Sequence, residues 1–219
     1  MKGLECILNQ NRLAIASIES SDYAVAVSIL SAAVRDYKQV IMKHNFPNES
    51  KDQAWLALDD CVAQPIHSVT SADLIGDSFV RFTSAIDLTT VGMKDASRNG
   101  SVVISAVLMF NLALAYNLSG ELSKAIQLYG LAVRMSHEER SRGLLFTMTC
   151  INNAAVAYTD LGDDESADRY FESLLSILMC LVDNEEQFQV AHGTSVLLEG
   201  FFQNTSYLIL GPRNFAPAA

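Results

Sequence analysis

The chain has few of the residues that announce chemistry or a cross-linked exterior. Its 219 residues include four cysteines, Cys6, Cys61, Cys150 and Cys180, with no CxxC pair among them. A chain of this length needs no disulfide staples. The four are expected as reduced thiols, with Cys150 and Cys180 buried in helices. His44, His67, His137 and His192 lack metal-ligand spacing to one another or to the cysteines. Phosphate-cradling glycine loops, an H-E-x-x-H helix and a G-x-S-x-G elbow are all missing. Cys61 and His67 could be imagined as nucleophile and base, but both fall in an irregular stretch and are read as structural. The expectation is no enzyme, no catalytic residue, no metal and no cofactor.

Cations are scarce too. Lys and Arg total 15 against 25 Asp and Glu, a formal net charge of -10. Such a chain repels phosphate backbones, so nucleic acid is not an expected partner. No apolar run approaches the roughly 20 residues of a membrane span. The opening "MKGLECILNQNRLAIASIES" is broken by Glu5, Asn9, Asn11 and Arg12, unlike a secretory leader. The expected setting is cytoplasmic, without a membrane. The acidic cluster Asp160 to Glu165 lacks the alternating ligands of a calcium loop and reads as a solvated turn and helix start.

What the chain does have is apolar content, 50% of residues, and a spacing written twice. "FNLALAYNLSGELSKAIQLYGLAV" begins at Phe110 and "NNAAVAYTDLGDDESADRYFESLL" at Asn152. In the first, Leu112, Ala113 and Tyr116 recur at helical steps with Leu108 just ahead of the stretch; Ser119-Gly120 interrupts them. Leu122, Ala125, Leu128, Tyr129 and Ala132 then form a second stripe. The second stretch matches it with Ala155, Tyr158, Gly162, Ala167, Phe171 and Leu174. Tyr116 and Tyr158 lie 42 residues apart. A weaker copy, "LNQNRLAIASIESSDYAVAVSILSAAV", carries Ala14, Ala26, Leu30 and Ala33, with Ser20-Ser21-Asp22 in place of the glycine turn. Each unit reads as two antiparallel helices crossing through small residues, and such units must stack to bury both faces.

This pattern resembles the tetratricopeptide (TPR) repeat family. Its usual period is about 34 residues, and the longer period here is similar to that of kinesin-light-chain-type units, with the added turns in "SHEERSRGLLFTMTC". The resemblance implies an all-α, TPR-like α-solenoid of stacked helix pairs in a single domain. The expected parts are a first pair at 7–40, an irregular insertion at 41–100, a second pair at 101–140 and a third at 141–182. A capping helix is expected within 183–211, about 194–210, and a tail at 212–219. In the insertion, Ser50 and Gln53 could cap a short helix carrying Trp55. "DSFVRFTSAIDLTT" could be extended or a hairpin, and the insertion as a whole is expected to loop outward.

The resemblance also implies a function: recognition of another protein, through a peptide or helix held in a concave groove. The alternative is self-association as a homo-oligomer, through the groove or an open end. The first helix of each pair would line the groove. Asn111 and Asn153 occupy the position two before the small residue, where the family's asparagines bond peptide backbones; Asn204 is a candidate in the cap. A side-chain amide donates and accepts, so it matches a peptide unit of any sequence. Phe110, Leu114, Asn152 and Val156 should share the groove wall, with Arg12 entering from the first unit. Thr149 and Asn153 stand where a carboxylate clamp would need cations. Removing Asn111 and Asn153 is expected to leave thermal stability nearly unchanged.

Overall fold

Three short turns set the architecture, because each closes a helix in the same way. The computed structural model describes residues 2–43, 79–90, 98–137, 143–183 and 194–210. Among them seven helices follow in order: α1 (Lys2–Glu19), α2 (Tyr23–Lys43), α3 (Arg98–Leu118), α4 (Leu122–His137), α5 (Leu144–Asp160), α6 (Asp164–Asp183) and α7 (Thr194–Leu210). No strand occurs among the described residues.

At the end of α3, Gly120 takes a positive φ of 83°, and the Glu121 N–H reaches back to the Tyr116 carbonyl at 2.9 Å. At the end of α5, Gly162 has φ 75° and the Asp163 N–H bonds to the Tyr158 carbonyl at 3.0 Å. The first unit makes the same closure without glycine. Ser21 sits at φ 64°, and the Asp22 N–H bonds to the Ser17 carbonyl at 2.8 Å. This is the bonding of a left-handed helix stop. An acidic residue follows each stop, and its carbonyl receives the N–H of the small residue four places on. The pairs are Asp22 and Ala26, Glu121 and Ala125, and Asp163 and Ala167. The Asp163 carboxylate also accepts from the Ser166 N–H at 3.1 Å, and its bonds with Ser166 hold it below the usual carboxylate range.

Each helix packs on the next, α1 on α2, α3 on α4, α5 on α6, and α6 on α7. Although the insertion separates them in sequence, α2 packs directly on α3, and α4 packs on α5, so the stack is continuous. The small residues lie where the helices meet: Ala14, Ala26, Ala113, Ala125 and Ala155 are fully buried. Tyr129 and Phe171, at matched positions of the second and third units, are fully buried beside them. Helix α5 starts at Leu144, directly after Gly143, whose φ is 70°.

Two expectations change. Within α3, Ser101–Leu118 is long and apolar enough to cross a membrane, with mean hydropathy 1.8, although no run was expected to approach that length. It is 72% buried between neighbours, which accounts for its apolar character. Cys150 is buried, and burial pushes its thiol pKa up, whereas Cys180 is exposed. The expected helix around Trp55, the Cys61 and His67 pair, and the 212–219 tail lie outside the described residues.

Two substitutions test this packing. Ala125→Leu should overpack the α3–α4 crossing and lower stability by about 1–3 kcal/mol; an unchanged urea midpoint would place Ala125 elsewhere. A Cβ on Gly162 meets nothing within 4 Å. Gly162→Ala should therefore cost only the left-handed backbone penalty, about 1–2 kcal/mol, while Ser21→Gly should raise the midpoint.

Candidate functional site

The first helices of the units, α1, α3 and α5, together with α7, present one row of buried asparagines. Asn11, Asn111, Asn152, Asn153 and Asn204 are all at most 1% exposed. Burying a primary amide without partners is costly, so each of its donors and acceptors has to be satisfied. What satisfies them is a peptide backbone. It belongs to this chain.

Residues 79–87 run extended along the row, followed by a turn at 88–90; we call this segment the strap. Asn204 accepts from the Val80 N–H at 2.6 Å and donates to the Val80 carbonyl at 2.7 Å. Asn152 donates to the same carbonyl at 2.9 Å, and its own side-chain oxygen accepts from Asn204 at 2.7 Å. Asn153 accepts from the Phe82 N–H at 3.0 Å and donates to the Phe82 carbonyl at 2.8 Å. Asn111 does the same for Ile86, both bonds at 2.8 Å. Asn11 donates to the Ile86 carbonyl at 3.0 Å and accepts from Asn111 at 2.8 Å. In extended backbone the N–H and C=O of one residue point to the same side, and alternate residues share an edge. Positions 80, 82 and 86 therefore lie on one edge. The strap enters over α7 and runs toward α1, against the order of the repeats.

Side chains fix its register. Phe79 stacks on Phe171 with centroids 4.9 Å apart, and Phe82 meets Phe201 edge-on at 4.9 Å. Phe82, Ile86 and Leu88 are buried. Arg81 forms an ion pair with Asp160, so this member of the acidic cluster faces a peptide cation. Gly200 marks the closest approach to α7: a Cβ there would stand 3.2 Å from both Phe82 and Val80. Tyr129, whose phenol is pushed up by burial, accepts from Asn153 at 3.3 Å and so ties a repeat core to the groove. Beside strap residues 83–85 a cleft of about 340 Å³ remains open, walled by Ile15, Ile18 and Leu118.

Of the residues expected on the groove wall, Asn111, Asn152 and Asn153 are brought together on the strap. Leu114 and Val156 lie one turn beyond Asn111 and Asn153 and are buried. Phe110 is buried between helices, 5.8 Å from the Tyr129 ring and 5.7 Å from the Phe146 ring, so it serves the core. Arg12 is exposed, and its neighbour Asn11 enters the groove in its place. Because Phe110 and Leu114 are already covered, a dimer closing over them has nothing to bury. The described part of the insertion returns into the groove; it does not loop outward. Asn11, Gly200 and the strap itself were missed. The available signal was the strap's own sequence, "FVRFTSAIDL", with apolar residues at Phe82, Ile86 and Leu88 on alternate positions.

The strap is held by forces close to balance. Its eight amide bonds contribute about 0.5–1.5 kcal/mol each. Burial of Phe82, Ile86 and Leu88 adds about 1.5–3 kcal/mol each. Ordering the nine extended residues costs about 1–2 kcal/mol each. The difference is small beside either side, so a docked strap can still leave.

With the strap in place, the groove asparagines bond within the chain itself, so their removal is now expected to affect stability. Asn111→Ala should remove both hydrogen bonds between α3 and Ile86 and cost about 1–3 kcal/mol, read as a lower urea midpoint. An unchanged midpoint would mean that Asn111 is solvated and the strap undocked.

Residues 147–178 match a family model described as tetratricopeptide repeat. The matched region covers most of α5 and α6, the third unit. The match bears on the repeat family and not on its kinesin-light-chain type. No curated protein and no solved structure gives a significant match. Residues 147–178 thus carry a tetratricopeptide repeat, and the same left-handed stop and helix pairing recur in the two units before it.

Proposed function

We propose that the protein recognises extended polypeptide through the asparagine row of its concave face, acting by binding and without catalysis. Repeats of this family generally serve as protein–protein interaction modules. The observation that carries the finer reading is the strap. Three of its residues have both N–H and C=O held by side-chain amides of α3, α5 and α7. Those bonds use groups present in every residue except proline, so the row is suited to any extended segment whose side chains fit. A helical ligand fits poorly, since its backbone groups are already paired within the helix. Arg12, exposed at the first unit, is left as a contact for the rim.

The reading is tested with a chain whose strap is loosened by Phe82→Ala and Ile86→Ala, panned against displayed random peptides. Peptides bound in the groove should lose at least about tenfold in affinity when Asn153→Leu, a substitution of similar size without hydrogen bonds, is added. Peptides that bind the Asn153→Leu form equally well would remove the concave face as the binding site.

A further inference from the structure

Resting on that reading, we infer that the strap is a built-in competitor for a partner segment of its own chemistry: aromatic–x–cation–aromatic–x–x–x–aliphatic–x–aliphatic. The pattern is that of Phe79, Arg81, Phe82, Ile86 and Leu88. Each position is set by a feature of the helices, so it constrains any occupant. Phe171 and Phe201 offer ring faces at the first and fourth positions. Asp160 offers a carboxylate at the third, in a chain whose net charge of -10 favours cationic ligands. Buried apolar surface receives the eighth and tenth. The asparagines hold the backbone at the second, fourth and eighth.

The strap can leave without dismantling the stack, because α2 packs directly on α3 and every other pair of consecutive helices is in contact. Its departure would expose the rings of Phe171 and Phe201 and five amides. An occupant must therefore bring matching apolar groups; a merely polar one would leave the rings wet. Residues 44–78 and 91–97 tether the strap on its two sides. Tethering gives it an effective concentration of about millimolar. A free peptide of equal quality is outcompeted below that concentration, so the intact chain discriminates against weak ligands.

The probe is a labelled ten-residue peptide with the sequence of 79–88, titrated into full-length protein by fluorescence anisotropy. The Phe82→Ala/Ile86→Ala chain should bind it at least about tenfold more tightly than the wild type. Replacing the peptide's arginine with glutamate should reduce binding about fivefold or more, and an Asp160→Arg chain should restore it. If the double variant loses its helical circular dichroism, Ile86→Ala alone should show a smaller gain of the same sign. A folded loosened chain that ignores the peptide, or a charge reversal without effect, would overturn the inference. Display-selected peptides that depend on Asn153 but lack the pattern would also overturn it while leaving the concave site standing. A wild-type dimer converted to monomer by the peptide would make a second copy's strap the occupant, and would overturn it too.

Discussion

The structure turns on the pairing of an asparagine side-chain amide with the N–H and C=O of one extended residue. A primary amide carries the same two functions as a peptide unit, so an asparagine on a helix can act as a short piece of strand. Five such side chains, contributed by α1, α3, α5 and α7, form a discontinuous strand edge on an otherwise helical surface. Their burial makes that edge demanding. Without backbone to pair with, or water in its place, the amides would be left unsatisfied at a cost comparable to that of the whole fold's margin.

That demand links elements the repeat architecture leaves apart. In a stack of helix pairs each unit touches only its neighbours, and stability is a sum of local terms. Here Asn11 of the first unit and Asn111 of the second share one carbonyl, that of Ile86. Asn152 of the third unit and Asn204 of α7 share another, that of Val80. The strap therefore couples units along the concave side, while the small residues couple helices within each unit. The two sets of contacts differ in kind: dry alanine packing on one side, a near-balanced polar seam on the other. The seam is the part able to exchange one peptide for another.

The helices were legible in the sequence because their determinants are local and repeated. Ala113 and Ala125, Ala155 and Ala167, and the glycines at 120 and 162 stand at fixed offsets dictated by a helix crossing and a left-handed stop. Ser21 was harder to read, since it holds the left-handed turn without being glycine. Asn111 and Asn153 were legible as backbone-pairing groups, but the sequence could not say whose backbone. That depends on where residues 79–90 travel, and a segment whose backbone is met by side-chain amides shows no helical period. Phe110 and Arg12 were misplaced for a related reason. Neighbouring positions on a helix differ by about 100° in direction, and the first unit uses the position of Asn11 where the second uses that of Asn111. A register taken from the small residues alone could not separate the two.

Amide hydrogen exchange along the strap tests the central claim most directly. The N–H groups of Val80, Phe82 and Ile86 face the asparagine row. They should exchange at least about tenfold more slowly than in unstructured peptide and more slowly than Arg81, Ala85 and Asp87. Unprotected exchange at all six positions, with the helices still protected, would contradict a docked strap and the amide pairing on which the account rests.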